Sequence, residues 1–157
     1  IKFSVVALSF TLALFIFDNL KLYPYNYSYL NELARMRPAT QYFETDYFGI
    51  SAGRSARWLN SQSEIQANIC IYAYPTHLLA YELDRTKYPC LKNSKGNTIF
   101  IPTDKPSIVY RTQRNIIHFQ MPAFCKVIHE ELRQLPFSSQ PLIMGAVISC
   151  NPTQIAQ

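Results

Sequence analysis

Glycine is scarce in this chain, with four in 157 residues. Loops that cradle phosphate need several glycines close together, so that backbone amides can approach the anion. No G-x-G-x-x-G, no phosphate-binding loop and no G-x-S-x-G occurs, which excludes the nucleotide and serine-hydrolase chemistries those patterns carry. Charge is thin as well, at 16% Asp, Glu, Lys and Arg. The net charge of +5 comes from scattered positives such as Arg35, Arg37, Arg54, Arg57, Lys92, Lys95, Arg111 and Arg114. A nucleic-acid tail would gather them into a dense run, so no nucleic-acid partner is expected. The cysteines at 70, 90, 125 and 150 contain no C-x-x-C, which argues against zinc. His77, His118 and His129 show no ligand spacing, and no repeat with a period of roughly 20–50 residues is found. Cys125 and His129 share a helical i, i+4 spacing, but nothing in the sequence activates the thiol.

What the chain has in quantity is apolar and aromatic surface. Hydrophobic residues make up 48%, with eleven Tyr and ten Phe. From Phe3 to Phe17 nothing is more polar than Ser4, Ser9 and Thr11. About fifteen helical residues cover roughly 22 Å, short of the ~30 Å hydrocarbon core. The run opens on Ile1 and not on methionine, so it is expected to begin upstream. Behind it stand Lys21 and the tyrosines Tyr23, Tyr25, Tyr27 and Tyr29, suited to an aromatic belt and a snorkelling ammonium at headgroup depth. A signal peptide would end in a small-x-small cleavage site, and Phe15-Ile16-Phe17-Asp18 is none. A buried helix of a soluble domain would carry a polar stripe, which is absent. The membrane helix is therefore the leading reading of the three.

The remainder is long enough for one ordinary domain. The expected organisation is a membrane-helix end over 1–20, an aromatic membrane-proximal segment over 21–50 and a small α/β domain with a mixed sheet over 51–157. Ser51 suits the N-cap of a helix through about Asn60, with Ala52, Ala56, Leu59 and Trp58 inward. Asn68 to Tyr74 reads as a buried strand ended by Pro75. Thr76 can cap a second helix carrying Leu78, Leu79 and Leu83. Lys92 to Asn97 reads as an exposed loop, and Thr98–Ile101 and Ser107–Arg111 as strands. Phe124, Val127, Ile128, Leu132 and Leu135 fit a helix stripe, yet the segment can equally form a hairpin with the strand-like Pro141–Ile148. Cys70 and Cys150 sit in strand-like settings, where a thiol acts as a small hydrophobe. Cys90 and Cys125 lie in loop-like settings, and in an oxidising compartment they are the expected disulfide.

Glu44 and Asp46 are two apart, so an extended backbone points both to one side, as a metal or acid/base pair would require. The structural alternative is that they cap backbone amides or pair with Arg54 and Arg57. No self-sufficient active site is visible, and no cofactor class is implied. Asn26-Tyr27-Ser28 is a glycosylation sequon, relevant only in a eukaryotic lumen.

The order of short motifs resembles the C-terminal region of polytopic membrane glycosyltransferases related to the dolichyl-phosphate-mannose–protein mannosyltransferases, in their prokaryotic form. The resemblance is carried by Tyr23-Pro24-Tyr25, Tyr29-Leu30-Asn31-Glu32, Phe43-Glu44-Thr45-Asp46-Tyr47-Phe48-Gly49 and Ser55-Ala56-Arg57-Trp58-Leu59. It is densest over Tyr23–Asn60; Phe48 stands where Trp is common, and Met36-Arg37-Pro38 where a glycine pair is frequent. The family order favours the hairpin of Lys126–Arg133 with Leu142–Ser149. The resemblance implies an integral membrane protein with its soluble part extracytoplasmic, a polyprenyl-phosphate sugar donor, and a catalytic carboxylate in an upstream loop. No catalytic residue of this chain matches that loop. The partners implied are the bilayer, the lipid-linked donor and the rest of the polytopic protein. Asn31, Glu32, Glu44, Asp46 and Tyr47 are the expected active-site-covering or substrate contacts. Arg54 and Arg57 are expected at the lipid phosphate, whose geometry a guanidinium matches.

Overall fold

A computed structural model describes residues 2–24, 45–46, 49–94, 104–113, 120–135, 138 and 140–152. The first helix, α1 (Lys2–Leu22), includes Ser4–Leu22, 19 residues long and apolar enough to cross a membrane. Two of its polar side chains bond back to their own helix: Thr11 Oγ1 donates to the Ala7 carbonyl at 3.0 Å and Asn19 Nδ2 to the Phe15 carbonyl at 2.8 Å. Lys21 in the last turn complements the helix dipole, and the helix runs two residues beyond the boundary expected at 20.

The rest is a small α/β domain. Helix α2 (Ser51–Ser61) is followed by β1 (Cys70–Tyr74), α3 (Thr76–Glu82), β2 (Leu91–Asn93), β3 (Ser107–Thr112), β4 (Cys125–Arg133) and β5 (Leu142–Cys150). The five strands form one mixed sheet in the order β2–β1–β3–β5–β4. β1 is parallel to β2 and β3, and β5 runs antiparallel between β3 and β4. Lys126–Arg133 is thus a strand of a hairpin. Its helix-like spacing reflects β-bulges between Val127 and His129 and between Glu131 and Leu132, each of which shifts the alternation by one residue. Leu91–Asn93 is a short edge strand where an exposed loop was expected from Lys92 onward; its exposed Lys92 and Asn93 are what an edge strand tolerates. Thr98–Ile101, like His118, lies outside the described residues.

Helices α2 and α3 cover one face of the sheet. Ala52, Ala56, Leu59 and Leu79 pack on Ile71, Ala73, Ile108, Tyr110 and Val147. On the opposite face Tyr72, Val109, Ile148 and Cys150 form a second cluster. Asn60 clips the two helix ends together: its Nδ2 donates to the Glu82 carbonyl at 2.8 Å, and its Oδ1 accepts from the Asp84 amide at 2.9 Å. Tyr88, fully buried, donates its hydroxyl to the Leu59 carbonyl at 3.1 Å, satisfying an orphan group of the last turn of α2.

All four cysteines are paired, and the pairing differs from the Cys90–Cys125 bridge expected. Cys70 joins Cys90, and Cys125 joins Cys150. Sheet register is the reason. Cys125 and Cys150 face each other on β4 and β5 with Cα atoms 4.0 Å apart. Cys90 directly precedes β2, the strand beside β1, and its carbonyl accepts from the amide of Ile71, the neighbour of Cys70. Both bridges lie at the amino edge of the parallel strands.

Candidate functional site

The carboxyl ends of β1, β2 and β3 share the other edge of the sheet, marked by Tyr74, Asn93 and Thr112. α/β folds bind ligands at this edge, where successive strand connections diverge. Here β1 leads through α3 to β2 on one side, while β3 lies on its other side. α1 arrives at the same edge. Thr112 pairs with Gly145, so the start of β5 reaches to and past the end of β3. There Leu142 and Met144 pack with Leu135 against the fully buried Leu22 of α1, with Ile50 alongside.

Thr45 and Ser51 bond to residues of β3, β5 and the position after β3 at this edge. Asp46 is buried, and Oδ1 accepts from the Ile50 amide at 2.9 Å while Oδ2 accepts from the Ser51 amide at 3.1 Å and from the Ser51 hydroxyl. Asp46, and not Ser51, therefore caps α2; Ser51 is the first helical residue and Ile50 occupies the cap position with no side-chain bond. A carboxylate at a helix N-terminus meets both the orphan amides and the positive end of the dipole. The single Ser51 hydroxyl proton goes to this charged acceptor. The Tyr110 hydroxyl, 2.7 Å from Ser51 Oγ, must then be the donor of that pair. Thr45 is clamped beside it, its amide donating to Gln113 Oε1 at 3.1 Å and its hydroxyl to the Ile143 carbonyl.

Two glycines permit this packing. Gly49 has φ +67 and a Cβ there would lie 3.1 Å from Pro75 Cγ. A Cβ on Gly145 would press on Ser51 and approach the Arg111 carbonyl at 3.1 Å. Arg111 itself is buried in the sheet, and burial lowers its pKa to about 10, leaving the guanidinium charged at neutral pH.

Of the residues singled out from sequence, Asp46 is thus a buried capping group and not an accessible acid or base. Arg54 pairs with Glu131 at 3.2 Å, and Arg57 with Glu82 at 3.1 Å. Arg133 also reaches Glu131, at 2.7 Å. Among the described residues the carboxylate partners of Arg54 and Arg57 are Glu131 and Glu82, and a pairing with Glu44 lies outside the described residues. Asn31, Glu32, Glu44 and Tyr47 lie outside the described residues. Among the described residues no group of three or more His, Cys, Asp or Glu is arranged to hold a metal ion.

From sequence Ser51 reads only as an N-cap, and nothing singles out Tyr110, Gln113 and Glu131, whose partners Ser51, Thr45 and Arg54 lie 59 or more residues away; only the close spacing of Asp46 to Ser51 offered a local signal. The Trp58–His129 stack was equally hidden. The rings are parallel within 10° with centroids 4.4 Å apart, joining α2 to β4. Burial holds the His129 pKa below 6.5, against the opposing pull of Glu131 and Glu130. At the amino edge a cleft of ≈ 350 Å³ is lined by Gln66, Asn68 and Lys105 among others, with no nucleophile or acid/base pair among its lining side chains.

The fold and bridges define a disulfide-bonded α/β domain joined at its carboxyl edge to an apolar helix. Its two disulfides belong to an oxidising, extracytoplasmic compartment. Comparison with protein-family profiles, curated proteins and solved structures finds no match for this chain.

Proposed function

We propose that this chain is the extracytoplasmic C-terminal domain, with the last membrane helix, of an integral-membrane glycosyltransferase that uses a polyprenyl-phosphate-linked sugar. The catalytic carboxylate would lie upstream, and the domain would cover the membrane-facing side of the active site. The reading rests on the resemblance over Tyr23–Asn60. The observation that carries it structurally is the meeting of the apolar helix with the carboxyl edge of the sheet, through Leu22, Leu135, Leu142 and Met144. That contact turns the edge at which α/β folds bind ligands toward the end of α1, where a lipid-linked donor would be presented. The ordered cap built by Asp46 gives the Phe43–Gly49 motif a structural purpose at the same edge.

The test is sugar transfer by the full-length protein in proteoliposomes with a radiolabelled polyprenyl-phosphate sugar. Donor-dependent labelling of an acceptor, with release of polyprenyl phosphate, is expected. Stable membrane association without any donor consumption would discard the transferase and leave a non-catalytic, membrane-anchored interaction module.

A further inference from the structure

The surface of α1 changes character along its length. Ser4 to Ala13 are exposed, but toward the end a covered stripe develops at i, i+4, i+8: Leu14 half-buried, then Asp18 and Leu22 buried. Phe15, Ile16, Phe17 and Leu20, on the other sides, stay exposed. Building on the reading that α1 crosses a membrane, we propose that the turn end of the β4–β5 hairpin, through its described residues 132–135, 138 and 140–142, rests in the phospholipid headgroup layer beside the helix exit. The domain then stands on the bilayer at two points, not on a single stalk.

Three observations carry this. Nineteen residues from Ser4 to Leu22 rise about 28 Å, close to the ~30 Å hydrocarbon thickness, so Leu22 and the exposed Lys21 and Tyr23 mark the membrane boundary. Leu135, Leu142 and Met144 touch Leu22 and therefore lie at its depth. Asp18 is one turn, about 6 Å, further in. It is nonetheless 1% exposed, so protein covers this side of the helix even below that boundary. The third is chemical. Residues 132–142 read Leu-Arg-Gln-Leu-Pro-Phe-Ser-Ser-Gln-Pro-Leu, with one cation and no carboxylate. Leu132 is 40% exposed, and Gln134, Gln140 and Pro141 are exposed beside it. Apolar and neutral polar groups with the exposed Lys21 of the adjoining helix end suit an interface of acyl chains and anionic phosphates.

The test uses the full-length protein in phosphatidylcholine–phosphatidylglycerol vesicles, with a thiol-reactive environment-sensitive fluorophore and nitroxide-labelled lipids. All four cysteines of this chain are paired, and the signal of a cysteine placed by Gln140→Cys, Glu64→Cys or Phe10→Cys is read after subtracting that of the unsubstituted full-length protein labelled in the same way. The Gln140 probe is expected to lose most of its fluorescence to a headgroup nitroxide, while the Glu64 probe, between α2 and the amino end of β1, keeps its own. Gln134→Cys repeats the measurement if Gln140→Cys does not fold. A quenched Phe10 probe with unquenched probes at 140 and 134 overturns the inference and leaves the membrane helix standing. An unquenched Phe10 probe removes the membrane reading and the inference with it.

Discussion

Both carboxylate oxygens of Asp46 are committed to the first turn of α2, which separates stability from activity at this residue. Asp46→Asn removes a charged acceptor from two amides and a hydroxyl in a buried site, and is expected to cost about 3 kcal/mol of stability. On the proposed transferase reading, sugar transfer per folded molecule should stay at the parent level. A loss of transfer with an unchanged thermal midpoint would instead put Asp46 in the reaction. Gly145 is constrained from the other side of the same network. Gly145→Ala forces a methyl against Ser51 and the Arg111 carbonyl, and an overpacking cost of about 1–3 kcal/mol is expected in denaturant titration. Wild-type stability of that variant would mean that Ser51 can move aside without losing its bonds to Asp46 and Tyr110.

At the scale of elements, the Trp58–His129 stack ties α2 to the edge strand β4. His129 has its pKa depressed below 6.5 by burial, so the unfolded chain binds the proton more readily than the folded one. Its contribution to stability is complete above 6.5 and is lost as pH falls through 6.5 toward the lower folded value. The thermal midpoint should therefore drop between about pH 7.5 and 5, and His129→Gln should flatten that part of the profile. An unaltered slope in His129→Gln would move the acid sensitivity to another group.

Much of this level was legible in the chain. α2, β1, α3, β3 and β5 follow from apolar spacing bounded by Pro75 and the polar loops. β4 did not, since its two bulges give Phe124, Val127, Ile128, Leu132 and Leu135 a helical rhythm, and only motif order favoured the strand. β2 is three residues long, too short for any alternation to register. The disulfides were misread because Cys125 looked like a loop residue, whereas pairing depends on which strands become neighbours. For the same reason the Asp46–Ser51–Tyr110 network was half visible: the cap is local, but Tyr110 enters only through the sheet.

For the whole molecule, Leu22 is a side chain through which the helix packs into the domain. Leu22→Ala removes a fully buried leucine and is expected to cost about 2–5 kcal/mol. The joint between α1 and the hairpin should become a site of rapid limited proteolysis, while non-reducing peptide mapping still shows both bridges. Protection equal to the parent would mean that the domain holds α1 by other contacts. The bridges close segments with sequence separations of 20 and 25 residues, worth about 3 kcal/mol each from loop entropy. A Cys70→Ser, Cys90→Ser pair should lose about that much. Both covalent links sit on the rim away from α1, and the rim beside α1 is held by hydrogen bonds and packing alone. The sheet is thus bound along one spine, like a book, with its free margin toward α1. Tension drawn along the helix is received first by reversible contacts, and when these part, the distal bridges still hold β1 to β2 and β4 to β5, ready to close again on the same page.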